Sequence, residues 1–429
     1  MSAAEFAKAG TQRRSIRLVQ LVIGVVCMVM IANLQYGWTL FVNPMNKAHG
    51  WIVADIQVAF SIFVALETWL TPVAGWIADR LGPERGPKVV VAFGGVLIAI
   101  GWIVNAYAES LSVLYLGACI SGIGAGAIYA TCVGNSVKWF PDRRGIASGI
   151  ITAGYGMGAA AFNPLFNSLI GSIGYSETFL WTGITHGALI LLSGLVLVNP
   201  PAGYKVGAAA AKPNVRRHDL DFTYTEMLRT PQFYFLFVAM LSIGIGGLMV
   251  TAQLKPVATN FRISNAALTV ALVLTPLANG FSRIMWGWVS DYLGREWTMF
   301  TAFSLQAIFL IAATTLGRTG DAIWVVLMVL VFLTWGELYA LFPAVLGDLY
   351  GSKNSALNYS FLYSAKGFAA LLGGGIAATL FEATGTWDYA FYGSAALALV
   401  SALMSLSVRR IPLPQKTVAR ALSVQPSAG

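Results

Sequence analysis

Twelve long apolar blocks leave this chain few ways to fold. They run at about 18–41, 56–78, 88–107, 111–135, 146–170, 178–198, 232–254, 267–290, 297–316, 322–347, 357–381 and 389–408. A helix that crosses the hydrocarbon core of a bilayer needs roughly 20 mostly apolar residues, and each block meets that length. A soluble domain of this size carries about 25% charged residues. Here 10% are charged and 57% hydrophobic, with a mean hydropathy of +0.70. Such a chain cannot make a water-soluble surface, and an all-α membrane protein with twelve transmembrane helices is expected.

The net charge of +9 does not point to nucleic acid, because of where the charges lie. With both termini in the cytoplasm, 21 of the 27 basic residues fall in cytoplasmic loops or tails. Arg17, Arg80, Lys138, Arg144, Lys205, Lys212, Arg295, Lys416 and Arg420 are among them, whereas Lys47, Lys255, Arg262 and Arg318 fall outside. That asymmetry is the positive-inside rule, which fixes the orientation. The early stretch TQRRSIRLV has the look of a twin-arginine export signal, but the apolar run after it is too long and eleven more follow. Cys27, Cys119 and Cys132 all fall inside spans, which argues against a disulfide framework or a metal site.

The longest polar stretch, about 199–231, divides the chain into an N-terminal six-helix bundle (1–198) and a C-terminal one with a tail (232–429). Within that stretch DFTYTEMLRTPQ can form a short amphipathic helix on the membrane surface. The halves repeat each other. GWIADRLG at 75–82 returns as GWVSDYLG at 287–294, and IYA at 128–130 as LYA at 338–340. The near-constant offset is that of two parallel, pseudo-symmetric six-helix repeats.

The pattern G-x-x-x-D-R-x-G, carried here by Gly75, Asp79, Arg80 and Gly82, resembles the signature of the major facilitator superfamily. The resemblance covers essentially the whole chain. It implies that these residues and their second copy, Gly287, Asp291 and Gly294, form a conformational latch of charges and helix dipoles. Tyr292 stands where the second copy would have its arginine. Within the superfamily, LQYGWTL (34–40), KWFPDRRGIASG (138–149), TAGYG (152–156), MLRTPQF (227–233), TWGELYALFP (334–343) and SAKG (364–367) are similar, in order, to segments of the bacterial oxalate:formate antiporter family.

Arg283 and Lys366 are the two basic residues that lie inside spans, in the eighth and the eleventh. On a helix Arg283 shares its face with Pro276, Asn279, Gly280 and Gly287, and Lys366 with Tyr359, Tyr363, Ala370 and Gly373. Charge in a span is costly. Each cation therefore either snorkels to an interface, pairs with a buried acid (Glu67 in span two or Glu337 in span ten), or projects into a central cavity and is neutralised there by an anion. A small dicarboxylate would match the last arrangement, with the planar fork of arginine on one end and the point charge of lysine on the other. The resemblance implies that last role for both, together with Gln35, Tyr36, Gln57, Tyr129, Tyr155, Trp335 and Tyr339 as pocket residues. Tyr363 stands where that family leads one to expect tryptophan, which narrows the wall and adds a hydroxyl. Glu337 is an acid where an uncharged residue is expected. It lies about 200° around the helix from both Trp335 and Tyr339, which turns it towards a neighbouring helix rather than the substrate. An acid that did reach the cavity would favour a monocarboxylate.

Other signals are weak. GIGAGA at 122–127 sits in an apolar span with no strand before it, and both it and GGG at 373–375 fit close helix packing. His186 is alone in span six and reads as a packed core histidine rather than a proton relay. No nucleotide-binding motif, cofactor or metal site is expected, and no enzymatic activity. The expectation is a monomeric inner-membrane antiporter that exchanges small carboxylates, oxalate for formate, by alternating access. The alternatives are a proton-coupled monocarboxylate transporter using Glu67 or Glu337 as its proton site, and a receptor built on a transport fold.

Overall fold

The computed structural model describes residues 3–201, 204, 215–217 and 220–415. Lys205, Lys212, Lys416 and Arg420, with residues 202, 203, 205–214, 218 and 219 of the expected linker and the tail from 416, lie outside the described residues. Backbone N–H and C=O groups inside a bilayer must find partners within the protein, so apolar blocks of this length become helices. The first six blocks give α1 (Ala3–Tyr36), α2 (Trp38–His49), α3 (Val53–Trp69), α4 (Thr71–Arg80), α5 (Gly82–Ala106), α6 (Leu111–Trp139) and α7 (Arg144–Val196). A single turn, α8 (Tyr224–Met227), precedes α9 (Pro231–Asn260), α10 (Asn265–Leu293), α11 (Arg295–Thr315), α12 (Asp321–Leu333), α13 (Leu338–Tyr350), α14 (Ser355–Thr384) and α15 (Asp388–Arg410). No strand occurs among the described residues.

Among the described residues ten segments are long and apolar enough to cross a membrane. One of them, the 53-residue α7, is two crossings, because Gly174 takes φ 86° and breaks it. The 30-residue α14 adds the twelfth. Three crossings are themselves broken in two. The first bends at Gly37, where any side chain would collide with the Asn33 carbonyl and Phe166. The second breaks at Leu70, just before Pro72 at the start of α4. The tenth loses its helix over residues 334–337, between α12 and α13. The helical angle that separates Glu337 from Trp335 and Tyr339 therefore does not apply there.

In one bundle α5 packs on α6 and α7, and α1 on α7. In the other α9 packs on α14 and α15, and α11 on α15. Across the interface α10 lies along α7, while α14 lies against α3, α4 and α6. The expected surface helix is only the one-turn α8. It is closed by a capping box of Thr223 and Glu226, and its flanking Phe222 and its own Met227 are buried.

The repeated octapeptide sits at equivalent places in the two bundles. Gly82 (φ 83°) turns the chain from α4 into α5, and Gly294 (φ 96°) turns it from α10 into α11. Both values lie in the left-handed region where glycine is unstrained. A Cβ on Gly75 would come within 2.9 Å of the backbone of Ala356 and Leu357, so only glycine lets α4 lie against the start of α14. Gly287 and Gly145 meet backbone to backbone in the same way, bringing α10 onto the start of α7.

Each aspartate then reaches the N-terminus it faces. Asp79 accepts from the Leu357 N–H at 3.0 Å and pairs with Lys138 at 2.6 Å. Asp291 accepts from Gly145 N–H at 3.1 Å and Ile146 N–H at 3.0 Å, and pairs with Arg295 at 2.7 Å. A carboxylate at a helix N-terminus is stabilised by the unpaired N–H groups and the dipole there. Asp348 on α13 completes the clasp, 2.8 Å from Arg144 and 2.7 Å from Arg295. This end of the interface, where α8 also lies, is called the clasp end below.

Candidate functional site

A cavity of about 630 Å³ lies between the bundles. α1 contributes Gln35 and Tyr36, α6 Tyr129, and α7 Tyr155, Gly156 and Asn163. The other bundle contributes Thr275, Asn279 and Arg283 from α10, Trp335 and Tyr339 from the break and start of the tenth crossing, and Tyr363 and Lys366 from α14. Nine of the residues singled out from the sequence thus share one wall. Gln57 does not; it is half-buried near the start of α3, ten residues before Glu67, and about 15 Å from it at the rise of an α-helix.

Arg283 is 1% exposed. It donates to the Thr152 carbonyl oxygen at 2.6 Å and to Asn279 Oδ1 at 2.9 Å, and its guanidinium carbon lies 4.5 Å from the Tyr339 ring centroid. Thr152 belongs to α7, so this side chain crosses the interface. Gly156 makes room for it, since a Cβ there would sit 3.0 Å from the guanidinium carbon. The backbone and the amide of Asn279 leave Arg283 without a carboxylate partner among the described residues, while its donors remain in the cavity wall.

Lys366 is held differently. Its Nζ lies 3.3 and 3.4 Å from the two oxygens of Glu67, 2.9 Å from the Tyr363 hydroxyl and 3.5 Å from Gln35 Oε1. Of the two acids that could pair with it, Glu67 does so. Tyr155 hydrogen-bonds to Glu67 at 2.8 Å and also to Gln35. The tyrosines form a continuous aromatic surface. Tyr129 stacks on Tyr363 with centroids 4.5 Å apart, and its edge contact with Tyr155 is at 5.3 Å. Neither interface snorkelling nor lipid exposure describes either cation.

Glu337 is fully buried outside the cavity wall, with neither carboxylate oxygen hydrogen-bonded among the described residues. His186 is packed among Trp102, Phe162 and Phe166. Arg80 is exposed with its guanidinium carbon 4.8 Å from the Trp76 ring centroid, whereas Lys138 is the cation on Asp79. From the sequence, Lys138 and Arg144 stand out by their side of the membrane and within KWFPDRRGIASG, Arg295 only by its side, and Asp348 not at all. An acid in the apolar run PAVLGDLY was the available signal for it. Thr152 opens the segment TAGYG, but its part is played by a backbone carbonyl, which no side-chain pattern marks.

The wall thus offers two cations, one of them already paired, and several phenol donors inside an aromatic enclosure. That chemistry suits a small anion better than a neutral solute. Comparison with known proteins agrees with the fold. The Major Facilitator Superfamily model matches residues 21–254 and 234–427. The chain is 35% identical over 405 residues, 94% of each protein, to the "Oxalate:formate antiporter" of Oxalobacter formigenes. It is 25% identical to "Monocarboxylate transporter 13" of Rattus norvegicus over 81% of this chain and 78% of that protein. Among solved structures it is similar to FucP of E. coli in the outward conformation, with a TM-score of 0.68 at 14% identity, covering 91% of this chain and 98% of that one. The chain is a multi-pass membrane protein that belongs to the Major Facilitator Superfamily.

Proposed function

We propose that the protein is a secondary antiporter that exchanges small carboxylates across a bacterial inner membrane, oxalate for formate, with both termini in the cytoplasm. The observation that carries this is the placement of Arg283 and Lys366 in the wall of one aromatic cavity between the bundles. The similarity to the oxalate:formate antiporter adds to it. Gln35, Tyr36, Tyr129, Tyr155, Trp335, Tyr339 and Tyr363 shape the pocket around these cations, with Gln57 a more distant contributor. The halves 1–198 and 232–429, joined by 199–231, rock about the cavity in a monomer. The Asp79 and Asp291 contacts, with Gly75, Gly82, Gly287 and Gly294, act as the latch that holds the clasp end shut.

The test is uptake of labelled oxalate into proteoliposomes loaded with formate or left without it. Exchange requires internal formate. Uptake that ignores the internal anion and follows an imposed pH gradient would overturn this reading in favour of a proton-coupled monocarboxylate carrier. That second reading draws on Glu67 beside Lys366 and on the monocarboxylate-transporter relative.

A further inference from the structure

We propose that Glu67 is a tethered counter-anion that sets the charge selectivity of the cavity, competing with the second carboxylate of a dicarboxylate for Lys366. The inference rests on the carboxylate-exchange reading above and concerns which carboxylates the site prefers.

Glu67 is 0% exposed, and its backbone is pressed against Gly126 of α6. The polar and charged groups around its carboxylate come from four packed elements and one beyond them. Lys366 and Tyr363 come from α14, Tyr155 from α7, Tyr129 from α6, Gln35 and Tyr36 from α1, and Arg283 from α10 across the cavity. Among the described residues no other acid touches this group, and the cavity wall itself contains none.

Counting formal charges, Arg283 and Lys366 supply two positive and Glu67 one negative, which leaves one net positive charge. A monocarboxylate that meets the Arg283 guanidinium neutralises it and leaves the Lys366–Glu67 pair intact. A dicarboxylate that bridges both cations must take over the donors Lys366 gives to Glu67. The displaced carboxylate keeps Tyr155, a single hydroxyl donor already shared with Gln35. Stranding one partner of a buried pair is strongly unfavourable. The penalty falls on the dianion alone, so Glu67 tilts the site towards monoanions without touching the ligand at Arg283. The tilt follows from a side chain in the second crossing that sits behind the ammonium rather than in the wall.

Glu67→Gln keeps the shape and the acceptor for Tyr155 while removing the charge. The full-length protein and the variant are compared by the rise in melting temperature on adding ligand in detergent, which reads binding without transport. Two pairs of probes are used, formate against oxalate and acetate against malonate. From the concentration dependence, Glu67→Gln moves the dianion-to-monoanion affinity ratio towards the dianion by about tenfold or more, the size expected when a charge-assisted contact is released. Glu67→Asp pulls the carboxylate back by one methylene and loosens its hold on Lys366. It moves the ratio in the same direction by a smaller factor, and it serves if the Gln variant does not accumulate in the membrane. A ratio that stays at the parental value in whichever variant is obtained overturns the proposal, and so does the absence of any ligand-dependent rise with all four anions. A parent protein that binds these anions with the predicted Glu67 dependence but exchanges none of them refutes antiport while leaving the selectivity role standing.

Discussion

Arg283 is the residue at which charge and geometry are hardest to separate. Its two hydrogen bonds go to a backbone carbonyl on α7 and to Asn279 one turn away, and its face lies on Tyr339. Lysine carries the same charge, but three donors radiating from one point cannot reproduce a planar fork that grips two acceptors and presents an edge to a carboxylate. Arg283→Lys should therefore lose exchange by about tenfold or more, which corresponds to roughly 1.4 kcal/mol, while still reaching the membrane. Oxalate exchange near the parental rate in a well-expressed Arg283→Lys protein would leave the site with a single cation. At this scale the sequence was informative about which residues matter, because charge is rare in apolar spans and both cations stand out. It could not say what they touch. Glu67 and Glu337 are equally plausible partners for Lys366 along the chain, and the pairing that forms joins positions 299 residues apart. Periodicity carries no information over that separation.

Helices and their ends show the opposite balance. Every apolar block became helix, since length and hydropathy leave no alternative in a bilayer. The breaks at Gly37, at Leu70 and over 334–337 were not read, because apolar side chains run straight through them and only the backbone departs. The break over 334–337 matters most, since it lies where Trp335 and Tyr339 reach the cavity wall and Glu337 is buried outside it. The repeated octapeptide was legible as a motif. Its physical meaning lies in two helix N-termini, those of α14 and α7, each capped by an aspartate from the other bundle. Asp291→Asn removes the ion pair with Arg295 and weakens two charge-assisted hydrogen bonds, a loss of about 1–3 kcal/mol for the closed clasp end. Spin labels at Arg85 and Lys353, both exposed at that end on opposite bundles, should report a population with longer separation in Asp291→Asn. Coincident distance distributions in parent and variant would remove Asp291 from any latch.

The whole molecule is organised by charge as much as by its apolar bulk. Among the described residues two ion pairs tie the bundles together: Arg144–Asp348 at the clasp end, where Arg295 of the second bundle shares the same carboxylate, and Lys366–Glu67 beside the cavity. Arg17–Asp142 and Lys138–Asp79 also lie at the clasp end. At the opposite end Arg318 pairs with Asp388 and covers Phe261. Basic residues near the ends of spans remain on the cytoplasmic side during insertion, so the richer end is expected to face the cytoplasm. That orientation decides which solution the cavity meets when the clasp is shut, and it can be tested without any transport assay. In a background with Cys27, Cys119 and Cys132 replaced by serine, single cysteines are placed at Lys353, in the turn between α13 and α14, and at Thr319, in the turn between α11 and α12. Both positions are exposed, so access to reagent depends on the side of the membrane rather than on burial. A membrane-impermeant thiol reagent added to intact cells should label Thr319→Cys and spare Lys353→Cys until the cells are opened. Labelling of Lys353→Cys from outside, with Thr319→Cys protected, would invert the protein in the membrane and turn the clasp outward.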